Sequence, residues 1–346
     1  MQPQRPRWPC RRPVAAALLA LAAAAQAPAA TALTIAFNGS APAPALAALG
    51  RAAGEWTARI ADPVTVTIDI SYGTFAANII GQASSIELST RKNGYGIVRD
   101  ALLADADADD GIVAALPSLS QLVNEVHLPN GITFNGGIVA TKANFKALGF
   151  PGLDAQFGVS DGAIQFNQVF SFDFDRSNGV SGTDFQTVAT HEIGHILGFN
   201  SIVDSIDAAL AQGAQGSTEI YPLDLFRFGL NSIPQTAAGF TAATRELTPG
   251  VEAVFGDSVN NFRMSTGVTH GDRQQASHFK DDRALGVHLG IMNPTLARNV
   301  AFGISPADLR VLDLIGWDVT PVPLPPALLL LAPALALLAG HRRRRG

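Results

Sequence analysis

The pattern of apolar and polar positions changes character several times along the chain, and each change marks an element. Leu33–Phe37 reads as a strand, Ala45–Ile60 as a helix containing Trp56, and Val64–Ile70 as an alternating strand entered through Asp62-Pro63. Further strands are expected at Gly131–Ala140, Ala163–Asn167 and Val169–Phe174, with a helix near Ala143–Leu148. The strongest helical signal runs from Thr183 to Leu197. Ala189, Ile193, Ile196 and Leu197 gather on one face of it, leaving a polar front. Thr183 and Gln186 have capping-box spacing, Asp184 suits the positive helix start, and Gly198 is a natural stop. A closing helix begins at Ser305-Pro306 and runs through Leu309, Leu312 and Ile315 to Gly316. Residues 201–290, rich in Gly, Ala, Ser and Thr, are expected to be mostly loop with short helices. No internal repeat is evident. A strand–helix–strand start, a twisted sheet with a backing helix, then the Thr183–Leu197 helix and a loop-rich C-terminal subdomain make an α+β fold class.

The two ends stand apart from this pattern. Residues 1–32 carry Arg5, Arg7, Arg11 and Arg12, then an apolar stretch from Val14 to Ala25, then the small-residue site Ala30-Thr31-Ala32, as in a secretory signal peptide. Residues 320–346 hold Val322-Pro323-Leu324-Pro325, an apolar run to Gly340 interrupted by Pro333, and Arg342–Arg345. An apolar run stopped by a basic cluster is a tail anchor in the inner membrane with its positive end in the cytoplasm. This order resembles the PEP-CTERM sorting tails in their V-P-L-P variant, with Pro326 where alanine is usual. The resemblance implies recognition by an exosortase-type membrane enzyme and delivery to the cell surface or beyond.

Between them lies a core of residues 33–319, long enough for one domain or two closely packed subdomains. All 29 acidic residues fall there against 16 of the 24 basic ones, a formal charge of −13. Such a surface argues against nucleic acid as a partner. The single cysteine, Cys10, lies in the expected signal peptide, so the exported protein has no disulfide.

The chemistry concentrates in His191-Glu192-Ile193-Gly194-His195. On a helix, residues four apart lie about 40° from each other, one turn along, so both imidazoles reach one metal. Neutral imidazole suits zinc, and a catalytic site keeps three protein ligands and an open position for water whose pKa falls to about 7. Glu192 is placed to take a proton from that water and pass it to the leaving amine. Two acidic segments, Asp105, Asp107, Asp109 and Asp110 before Gly111, and Asp173, Asp175 and Asn178 before Gly179, have the close oxygen spacing calcium favours. Neither matches the EF-hand loop, and a solvated turn is the expected reading of each, Ca2+ the alternative.

The third zinc ligand is not set by the motif. In its long form a histidine follows the second by six positions, where this chain has Ser201. Glu219, His270, His278, His288, His127, Asp204 and Asp207 are the candidates. Further along come Ala276-Ser277-His278-Phe279-Lys280-Asp281 and Gly290-Ile291-Met292-Asn293-Pro294. With the histidine helix, these pieces resemble the metzincin zinc metallopeptidases, specifically the leishmanolysin-like branch and related bacterial exported proteases. That resemblance implies zinc on His191, His195 and His278, Glu192 as general base, Met292 in a methionine turn beneath the metal, and a protein or peptide substrate. Asp281 and Asp282 are weighed as groups orienting a ligand imidazole, against a solvated turn. The expected function is an exported zinc-dependent endopeptidase. The alternative is a zinc-binding surface or matrix protein that keeps the fold without turnover, and a third is a hydrolase with a thermolysin-like third ligand.

Overall fold

The computed structural model describes residues 32–320, so the expected signal peptide and sorting tail lie almost wholly outside the described residues. Its organising element is a four-stranded mixed sheet in the order Thr34–Gly39, Thr65–Gly73, Gly162–Asn167, Gly81–Ser85. The first three strands are parallel, and Gly81–Ser85 runs antiparallel along the edge. The helix Ala43–Thr57 links the first two strands, as the apolar pattern predicts, with prolines Pro42 and Pro44 pre-setting its first turn. Its inward face is Ala45, Ala48, Leu49, Ala52 and Trp56, mostly small side chains that let a second helix approach closely.

That second helix is Phe185–Leu197, which carries the two motif histidines. Ala189, Ile193, Ile196 and Leu197, the face assigned to the core, are all fully buried. Its start differs from the expected capping box. Thr183 and Asp184 form a short parallel bridge with Phe172–Asp173, and Asp184 itself is the N-cap, its carboxylate accepting from the Thr187 amide at 2.8 Å. Asp184 therefore acts through a directed hydrogen bond as well as through the helix dipole. The Trp56 indole donates to the Thr190 carbonyl at 3.0 Å, and the Trp317 indole to the Leu197 carbonyl at 2.8 Å. Buried Trp N–H groups thus pin both halves of the helix.

One expectation is corrected and a second is extended. The strand Ile132–Thr141 does not join the main sheet but forms a three-stranded sheet between Gly216–Ile220 and Glu87–Ser89. Residues 201–290 are largely loop with short helices, as expected, but they also hold strands that the pattern did not show. The segment contains the helix Val203–Ala211 and most of a five-stranded sheet in the order Asn261–Met264, Ala253–Gly256, Arg227–Gly229, Arg245–Glu246, Val126–His127. Its strands are two to four residues long, too short to show a period of two. They are held by the buried rings Phe226, Phe228, Phe240 and Phe255, with the Arg245 guanidinium 5.1 and 4.9 Å from the Phe228 and Phe240 ring centres. The closing helix Pro306–Leu314 starts at Ser305-Pro306, as expected, and Ser305 and Asp308 close a capping box there. No helix among the described residues is long and apolar enough to cross a membrane.

Candidate metal centre

The fold brings His191, His195 and His278 together, although 83 positions separate the second from the third. His278 Nε2 lies 3.1 Å from His191 Nε2 and 3.2 Å from His195 Nε2. The other ring nitrogens all face backbone carbonyl oxygens: His191 Nδ1 that of Ile291 at 2.7 Å, His195 Nδ1 that of Phe199 at 2.9 Å, and His278 Nδ1 that of Gln275 at 3.1 Å. A carbonyl only accepts, so each Nδ1 carries the ring proton and each Nε2 is left with a lone pair. Three lone pairs therefore converge on one point, a repulsive arrangement that a cation relieves.

Protonation does not relieve it near neutral pH. Burial lowers His191 to about 4 and His195 to about 3, and His191 adds to the fall at His195. Burial and the two neighbouring imidazoles take His278 well below the ordinary histidine range. The donor set and spacing fit zinc: metal–nitrogen bonds of about 2.0–2.1 Å in a tetrahedron place nitrogens about 3.3 Å apart. Among the described residues this is the only group of three or more His, Cys, Asp or Glu whose ligand atoms lie within 4.8 Å of one another.

Glu192 sits one residue along from the first histidine and is 6% exposed. Its carboxylate accepts from the Ala83 amide of the edge strand, and burial, outweighing that bond, raises it to about 8. Gly81, two residues earlier, leaves the room: a Cβ built there would stand 3.0 Å from Glu192 Oε1. Met292 is fully buried, with its sulfur against Gly194, so close that a Cβ at 194 would overlap it. The residues expected to form the methionine turn thus lie directly under the histidine helix.

Two carboxylates hold these loops in place. Asp308 accepts the amides of Ile291 at 2.8 Å, Met292 at 3.1 Å and Ser305 at 2.7 Å. Asp204, in the first turn of the helix Val203–Ala211, accepts the amides of Ala276 at 2.6 Å and Ser277 at 2.9 Å. Sequence reasoning weighed Asp204 only as a metal ligand and did not single out Asp308. The Ser305-to-Asp308 spacing was the available signal for the latter.

The remaining candidates are engaged elsewhere. Glu219 accepts from the Ser89 hydroxyl, His270 pairs with Asp207, His127 with Glu246, and His288 with Asp282 while stacked on Phe302. Asp281 caps the short helix Asp282–Leu285, so neither it nor Asp282 orients a ligand imidazole; backbone carbonyls do so. Asp173 and Asp175 are turned onto the amides of Asp175, Ser181 and Ser177, and Asp110 onto Arg310, contacts that suit turns and ion pairs. Comparisons with protein-family models, with curated proteins and with solved structures return no match.

Proposed function

We propose that the protein is an exported zinc-dependent endopeptidase with a metzincin-like α+β fold. The observation that carries this reading is the convergence of three proton-free Nε2 atoms beside a buried glutamate. His191, His195 and His278 would hold the ion. Bound there, zinc supplies Lewis acidity and lowers the pKa of water to about 7. Glu192 accepts the proton from the attacking water and returns it to the leaving amine. Burial alone favours its protonated form, and a cation at the neighbouring histidines favours the carboxylate that a base requires. The Ala83 amide holds that carboxylate on the edge-strand side of the helix.

The edge strand supports a peptide as substrate. Gly81–Ser85 is paired on one side only, with Gly162–Asn167, so its other side presents main-chain groups to an extended chain next to Glu192. The N-terminal and C-terminal segments support export and sorting by an exosortase-type enzyme.

Zinc content and casein cleavage, measured on wild type and Glu192→Gln, test the reading. Wild type is expected to bind about one zinc per chain and to cleave, and the variant to keep the metal with activity lower by about 100-fold or more. Metal without cleavage in both proteins would leave a zinc-binding surface protein instead, and undiminished cleavage in the variant would remove Glu192 as the base.

A further inference from the structure

His278 reaches the other two histidines from the far end of a long insertion, yet a short tether fixes it. Asp204 lies nine positions after His195, and its carboxylate grips the loop that presents His278. The contact has a specific form. Gln275 and Ala276 share one peptide plane, whose carbonyl accepts from His278 Nδ1 at 3.1 Å and whose N–H donates to Asp204 Oδ1 at 2.6 Å. Ser277 adds its amide at 2.9 Å and its hydroxyl at 2.5 Å, both to Asp204 Oδ2. The Ser201 amide in turn donates to the Ser277 hydroxyl at 2.9 Å, which ties the loop to the end of the histidine helix.

We propose that Asp204 is a positioning residue of the metal centre, acting on His278 through the single peptide plane between Gln275 and Ala276. The proposal rests on the three histidines being a metal site. A carboxylate drawing on the N–H of a peptide makes its carbonyl oxygen a stronger acceptor, and that carbonyl fixes the tautomer and orientation of the imidazole. The same device recurs at His191: the Ile291 carbonyl takes its Nδ1 proton, and the N–H of the same peptide, that of Met292, donates to Asp308. His195 lacks it. Its acceptor is the Phe199 carbonyl, and the N–H of that peptide, that of Asn200, donates to the Gly198 carbonyl at 2.7 Å. The helix places both His191 and His195, whereas His278 depends on a loop and on this clamp.

The neighbouring helix position supplies a matched control. Asp207, one turn along, accepts the amides of Thr269 at 2.7 Å and His270 at 2.9 Å in the same insertion, and reaches no candidate ligand's carbonyl. Zinc affinity of the full chain, measured by chelator competition, and the absorption spectrum of the Co2+-loaded protein are compared for wild type, Asp204→Asn, Asp207→Asn and His278→Ala. Asp204→Asn is expected to weaken zinc binding about 10- to 100-fold and to change the cobalt spectrum, with Asp207→Asn within about twofold of wild type. Should Asp204→Asn fail to fold, Ser277→Ala replaces it, with a loss of about threefold or more expected. Wild-type zinc affinity and spectrum in whichever of these variants folds would overturn the proposal, even if its melting temperature falls. Absence of zinc binding by wild type, or undiminished binding by His278→Ala, would instead overturn the metal-site reading itself.

Discussion

The Met292 sulfur occupies the space that a side chain at position 194 would need, between the two motif histidines and beside Trp56. Glycine inside a helix normally costs about 1 kcal/mol relative to alanine. Here its absence of a Cβ lets the loop Gly290–Asn293 close under the helix. Gly194→Ala is expected to lose about 1 kcal/mol net, overpacking outweighing the gain in helix propensity. Met292→Ala alone should cost about 2–5 kcal/mol through its cavity. In the double variant the new methyl group meets an emptied space, so the combined loss should fall short of the sum by about 1 kcal/mol. Urea denaturation of the four proteins measures that coupling, and additive losses would mean that the sulfur does not fill this space.

Zinc should stabilise the folded chain strongly, because the three nitrogens are already assembled and proton-free. At free zinc about a thousandfold above Kd, linkage gives about 4 kcal/mol. His278→Ala should lose nearly all of that increment while changing the stability of the zinc-free protein much less. Thermal melts with zinc and with chelator read both quantities. An equal zinc increment in wild type and variant would place the ion elsewhere.

The histidine helix was legible in the sequence because its signals are local: four-residue spacing, an apolar back from Ala189 to Leu197, and a glycine stop. The closing helix was legible for the same reason, through Ser305, Pro306 and Gly316. His278 had no local mark. Its place depends on strands of two to four residues whose stability comes from packed phenylalanines, and on one carboxylate, that of Asp204, which grips backbone amides 72 and 73 positions away. Hydrogen bonds to backbone leave little trace in composition, so Asp204 and Asp308 look like ordinary helix-start acids. The resemblance on which His278 and Met292 were singled out was carried by short fragments, and what the fold adds is their proximity to His191, His195 and Gly194.

Stability should depend on pH through Asp62. Burial, with further repulsion from Asp318 and Asp105, raises this carboxyl to about 7, against the pull of the Asp318 amide. The folded state then holds a proton that the unfolded chain, with a carboxyl near its ordinary 3.8, releases earlier. Its contribution is complete below the unfolded value and is lost as pH rises toward 7. Asp105, raised to about 6 by burial and by Asp318, Asp110 and Asp107, acts in the same direction. Asp62→Asn keeps an acceptor for the amide and removes the titration. It should flatten the fall between about pH 4 and 7 and be more stable than wild type at pH 8, by on the order of 1–2 kcal/mol once neighbouring acids share the protonation. Urea melts across this range, in chelator so that zinc binding does not contribute, would show equal slopes if Asp62 is not responsible.

Asp308 joins the closing helix to the loop under the metal centre, and its removal should be felt at both. Its carboxylate takes three backbone amides, from Ile291, Met292 and Ser305, and the absence of a side chain at Gly290 leaves the room for it. Asp308→Ala strands those donors where the side chain is fully buried, a cost of at least about 3 kcal/mol. Asp308→Asn keeps one acceptor oxygen and should cost about half as much. Both changes also loosen the peptide whose carbonyl holds His191 Nδ1, so zinc affinity should fall together with stability. A loss of stability with wild-type zinc affinity would confine Asp308 to capping the closing helix. Parallel losses in both variants, larger in alanine than in asparagine, are the outcome its contacts require.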